Sequence, residues 1–180
     1  MSVPISVPAT YAEWSACLDI LEAGGQDDEV IQAMSQGQLA WVNGVANLFS
    51  ERVHGVFNTR LQRCAERMDR DFKAARDDTP IVRALLDTRR TLALLHKVAK
   101  LPSFHRMLQD HLAAEVRDYA KRAQNSLEDS AKQDRSGRLS SLIRNNPLLR
   151  YEENTVETTP AAPIANNDVV TARPQRRILL

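Results

Sequence analysis

Turn-forming residues are scarce in this chain. It has six glycines and eight prolines in 180 residues, and five of the prolines (Pro4, Pro8, Pro160, Pro163 and Pro174) lie near the two ends. A β-sandwich or barrel needs many short strands and tight turns, and this supply is too small for one. No alternating run of β-branched residues lasts more than a few positions, so strands have little support. Cysteine is also rare. Cys17 and Cys64 are far apart, neither belongs to a C-x-x-C pair, and each falls on the apolar stripe of an expected helix. That excludes a disulfide scaffold and reads as two small buried hydrophobes in a reducing cytoplasm. No apolar run approaches the ~20 residues of a membrane span. The opening MSVPISVPAT lacks a basic region and a long apolar stretch, so no secretory signal is expected there.

The usual marks of catalysis are missing too. No glycine-rich phosphate loop occurs, because Gly24-Gly25 follows a helix pattern and not a strand. No G-x-S-x-G and no H-E-x-x-H is present. The histidines His54, His96, His105 and His111 include no i, i+4 pair, although His54 and His105 are expected to approach if the helices pack as antiparallel neighbours. No acid cluster accompanies them, so neither metal nor cofactor is expected. Glu66, Asp69, Asp71, Asp77 and Asp78 crowd a helix-hairpin tip. Such a tip is convex and wet, which suits solvated ion pairs better than acid–base chemistry. The reading is of a chain that is not an enzyme.

What the chain does have is helical periodicity. Residues 1–9 form an extended arm, because Pro4 and Pro8 oppose helix. Thr10 and Glu13 make a capping box for a first helix ending at Ala23 before Gly24-Gly25. Asp27, Asp28 and Glu29 load the start of a short second helix, which Gly37 ends. Trp41 in the following connector is expected to plug a gap between short helices. A long third helix, capped by Asn43, runs to about Arg76 with Phe49, Val53, Phe57, Leu61, Cys64, Met68 and Phe72 at three- and four-residue steps. Thr79 as cap and Pro80 at the first helical position open a fourth helix ending at Leu101-Pro102. Ser103 is expected to cap a fifth, from Phe104 to about Asp134.

The predicted fold is therefore all-α: an elongated antiparallel helical bundle of two short N-terminal and three long helices over 10–135. Residues 136–151 follow as a short amphipathic helix or docking segment. A tail over 152–180, rich in Thr, Pro, Ala and Asn, is expected to be disordered. Helix five should start beside Phe57 and run past Arg76. The apolar stripes near 66–80 and beyond Lys121 would then need cover from Leu139–Ile143 or from a second copy of the chain.

Charge is polarised. Residues 1–42 carry six acids and no Lys or Arg, whereas 43–101 carry twelve basic residues against seven acids. Two outcomes suit this pattern: an acidic layer lying against the long basic helix, or a basic face meeting an anionic partner. Arginine outnumbers lysine 19 to 5, which fits interface or phosphate contacts and equally the codon bias of a GC-rich bacterial genome.

The leading expectation is a non-catalytic, cytoplasmic adaptor or assembly subunit that binds protein partners within a larger complex or itself. Leu139, Leu142 and Ile143, and the terminal Arg176-Arg177-Ile178-Leu179-Leu180, are the candidate docking residues, with the latter a basic-apolar linear motif on a tether. The alternative is a DNA- or RNA-binding accessory protein using Arg60, Arg63, Arg67, Arg70, Arg83, Arg89 and Arg90 on helices three and four. A third reading is an antitoxin- or chaperone-like partner of one cognate protein, with the acidic first two helices as the mimic surface.

Overall fold

The computed structural model describes residues 5–42 and 44–155. They form six α-helices and one 3-10 segment, with no strand among the described residues. The helices are α1 (Tyr11–Ala23), α2 (Asp27–Gln36), α3 (Val45–Ala74), α4 (Asp78–Ala99), α5 (Arg106–Lys132) and α6 (Arg138–Asn145); the 3-10 segment is Leu148–Thr155. The protein is an all-α helical bundle. No helix among the described residues is long and apolar enough to cross a membrane.

The capping box forms as the sequence predicts. The Glu13 amide donates to Thr10 Oγ1, and the Glu13 carboxylate accepts from the Ala9 and Thr10 amides. Those backbone donors hold the Glu13 carboxyl below the usual range. Two other caps differ from expectation. The α4 cap is Asp77, which accepts from the Thr79 amide at 2.9 Å. A carboxylate two residues earlier starts the helix sooner, and Pro80 then sits in the first turn, where its missing N–H still costs nothing. The α5 cap is His105, whose Nδ1 accepts from the Met107 amide at 3.3 Å. Ser103 is engaged elsewhere: its hydroxyl donates to Gly37 O at 2.6 Å. Asn43, the expected cap of α3, lies outside the described residues.

The core runs the length of the bundle. α1 lies on the first half of α3, α4 returns antiparallel along α3, and α5 returns again beside both. At one end Trp14, Trp41, Phe49 and Phe104 meet edge-on or tilted, with centroid separations of 5.7 to 6.1 Å. Each such pair adds ~1 kcal/mol to simple burial. Both indoles also find acceptors. Trp14 Nε1 donates to Gln38 O at 3.1 Å and Trp41 Nε1 to Ser103 O at 3.0 Å. Trp41 thus staples the α2–α3 connector to the α4–α5 connector. Gly37 makes this junction possible: a Cβ there would meet Pro8 and Trp14 at 2.8 Å.

The helix register differs from expectation by about two turns. Phe104, just before α5, packs on Phe49 and not on Phe57. The connector between Ala99 and Arg106 continues toward the start of α3 before the chain turns. As a result α5 stops level with the last turn of α3, where Phe72 and Ser130 line one groove, and does not run beyond it. The same shift sets His54 opposite Glu115 and His111 in place of His105, which instead faces Trp41.

Residues 138–151 pack on the bundle. Ile143 and Leu148 are buried in the core, Leu139 is half-buried against it, and the Leu148 amide donates to the buried Gln124 Oε1 at 2.9 Å. Arg138 closes the helix junction by donating to Asp78 Oδ1 at 2.5 Å. The 3-10 segment covers α4 and α5, with the buried Tyr151 ring edge-on to His96 at 5.5 Å. The expected tail boundary at 152 therefore falls inside an ordered element that continues to Thr155.

Candidate functional site

Acidic α1 and α2 meet basic α3. Arg52 Nη2 donates to Asp19 Oδ1 at 2.5 Å and Glu22 Oε2 at 2.6 Å. Those two hydrogen bonds, Asp19 first, raise the Arg52 pKa further. Arg60 is almost enclosed: its guanidinium donates to Asp27 Oδ2 at 2.9 Å and to Leu21 O at 3.0 Å. Gly24 is what lets it reach that carbonyl, because a Cβ at 24 would collide with the Arg60 guanidinium and φ there is +80°. Arg63 donates to Glu22 O. Part of the charge polarity in the sequence is thus consumed between layers of the bundle, including Asp27 of the expected acidic mimic surface. Asp28 and Glu29 stay exposed.

The seven arginines of the expected basic face do not act as one stripe. Arg60 is tied into the fold. Arg63 and Arg67 from α3, with Arg90 from α4, line a polar pocket of about 390 Å³ beside Gly24-Gly25. Arg67 and Arg90 share the single carboxylate of Asp87, at 3.9 and 3.5 Å. Arg89 is half-buried, and its Nε lacks a hydrogen-bond partner among the described residues. Arg70 and Arg83 are exposed with no ion pair among the described residues. The pocket floor includes Cys64, a free thiol pushed up by burial and therefore neutral. Cys17 is buried and free as well.

A second concavity lies between the second halves of α3 and α5. It has a volume of about 430 Å³ and is mainly apolar, with Ala65, Met68 and Phe72 on one side and Tyr119, Ala123 and Leu127 on the other. Asp69 belongs to the α3 wall and Arg122 to the α5 wall. The Tyr119 hydroxyl is buried without a partner among the described residues, and burial raises its pKa well above the ordinary value. α6 packs against α5 and α4, so Leu139–Ile143 do not cover this groove.

Of the other expected docking residues, Leu142 is half-buried, while Arg176, Arg177, Ile178, Leu179 and Leu180 lie outside the described residues. His54 Nδ1 sits 3.0 Å from Glu115 Oε2, but among the described residues no group of three or more His, Cys, Asp or Glu is placed to hold a metal ion. Asp87 and Arg122 escaped the sequence reading. The signal for Asp87 is its position three residues before Arg90 on one helix, which periodicity alone assigns to an ordinary solvated pair. Comparison with known proteins returned no matching family model, no similar curated protein and no similar solved structure.

Proposed function

We propose that this chain is a non-catalytic assembly subunit that works through protein–protein contact, first with a second copy of itself. The observation that carries this reading is the apolar α3–α5 groove with Asp69 on one wall and Arg122 on the other. A two-fold axis along the groove sets α3 of one copy over α5 of the next. Each Asp69 then faces an Arg122 across the seam, and the half-buried Phe72 and Ala123 leave water. Such self-complementarity is what an isologous interface requires. Among the described residues Asp69 is held only by Lys73, one turn away and largely exposed, so its re-pairing costs little.

Light scattering after size-exclusion chromatography tests the reading. The wild type is expected to run as a dimer, and Phe72→Asp as a monomer with unchanged helicity. D69R and R122D are each expected to be monomeric alone and to form a one-to-one heterodimer on mixing, because the mixture restores both cross-pairs. A wild type that stays monomeric into the millimolar range overturns the proposal, as does a mixture that fails to pair. The segment Arg176–Leu180 is proposed as a separate linear contact for another protein partner. Deleting 173–180 is expected to leave the dimer intact and to abolish that second contact.

Nucleic-acid binding is the second reading, favoured by Arg70 and Arg83, exposed and without an ion pair among the described residues. It predicts affinity for single- or double-stranded nucleic acid that falls steeply with salt and is lost in a variant neutralised at Arg63, Arg67, Arg70 and Arg83.

A further inference from the structure

We infer that the polar pocket between the α1–α2 turn, α3 and α4 is a binding site for a small phosphate-bearing molecule. The inference stands apart from the assembly reading, because none of these residues lines the α3–α5 groove. Three guanidinium groups line one concavity: Arg63 and Arg67, one turn apart on α3, and Arg90 on α4. Their charges are poorly matched among the described residues. The Arg60–Asp27 pair on the same wall is closed and neutral. Among the described residues that leaves Asp87 as the one remaining acid in the pocket against three cations. It stands 3.9 Å from Arg67 Nη1 and 3.5 Å from Arg90 Nη1, outside the 2.7–2.9 Å of a good charge-assisted bond. Two positive charges are left over, which matches a phosphomonoester group carrying about two negative charges at neutral pH.

The shape agrees with the charge. Arginine forks match phosphate geometry bidentately, and forks from two helices can grip different oxygens of one tetrahedral group. Arg63 is pre-oriented by its bond to Glu22 O, so part of its ordering precedes binding. On the open side is Gly25, where a Cβ would meet nothing within 4 Å. A volume of about 390 Å³ is of small-molecule size. The neutral Cys64 thiol at the floor offers no repulsion. An extended nucleic acid would instead engage Arg70 and Arg83, which lie outside this pocket.

Isothermal titration of the full chain with inorganic phosphate and with pyrophosphate, at constant ionic strength set by chloride, tests the site. Saturable one-to-one binding is expected, stronger for pyrophosphate. R67Q/R90Q should weaken it roughly tenfold or more, since two charge-assisted contacts are lost. Both side chains are mainly exposed, so an unchanged melting curve confirms that the variant folds. R70Q/R83Q should bind as the wild type does, and D87N should bind several-fold more tightly. No saturable binding, or an equal loss in R67Q/R90Q and R70Q/R83Q, overturns the inference. A single-stranded oligonucleotide that binds while pyrophosphate does not also overturns it, in favour of an extended basic face.

Discussion

Leu148 and Leu149 are neighbours in sequence with opposite fates, and substituting each in turn tests whether the 3-10 segment belongs to the folded unit. Leu148 is fully buried, whereas Leu149 is 46% exposed. Truncating a fully buried leucine to alanine costs its transfer free energy plus a cavity, about 3 kcal/mol for a site that relaxes partly. Leu148→Ala carries no polar penalty of its own, because its amide keeps the bond to Gln124. For a chain of this size the loss corresponds to a drop in Tm of roughly 6–12 °C. Leu149→Ala should stay within about 0.5 kcal/mol of the wild type. Urea denaturation followed by circular dichroism measures both. If 148–155 were a detachable docking element, both variants would melt with the wild type. A Leu148→Ala change smaller than 1 kcal/mol would refute the packing described for this segment.

Three further perturbations probe other parts of the fold. Gly37→Ala drives a methyl into Pro8 and Trp14, and it should destabilise the aromatic end by about 1–3 kcal/mol, visible as altered Trp fluorescence together with a lower urea midpoint. Arg60→Ala breaks the enclosed pair with Asp27 and the bond to Leu21 O; a loss of about 2 kcal/mol is expected, and little dependence on salt should separate it from the exposed Lys73–Asp69 pair, as a double-mutant cycle at both salt extremes would show. His96 has its pKa lowered by burial first, then by Lys100 and Arg117, with Glu152 opposing. The unfolded chain therefore binds the proton more readily, so stability is full above the ordinary histidine pKa of about 6.5 and falls as pH drops from there through the folded value. His96→Phe should flatten that part of the acid limb in denaturation measured against pH, and an unchanged slope would exclude His96 as its source.

Local chemistry was legible from the sequence wherever it was local. The apolar three- and four-residue steps of α1, α3 and α5, the Thr10–Glu13 box and the breaks at Gly24-Gly25 and Pro102 each depend on residues within one or two turns. Those features determined an all-α bundle and the approximate ends of its helices. Caps were less legible where a side chain had a distant alternative: Ser103 is drawn away by Gly37 O, across 66 residues of chain, and His105 takes its place. Which of Leu148, Leu149 and Tyr151 is buried was also hidden, because a short 3-10 segment after Pro147 carries no α-helical periodicity.

Only tertiary structure decided which charges cancel and which converge. Arg60, Arg63 and Arg67 look alike along α3, yet the first is enclosed by Asp27 while the other two open onto a pocket with Arg90. That difference depends on how far the α4–α5 connector carries the chain and on where α1 and α2 settle on α3. The physical reason is range. Helix formation is fixed by hydrogen bonds between residues four apart, whereas side-chain company across helices is fixed by the register of packed surfaces, which a stripe of equivalent apolar steps leaves open.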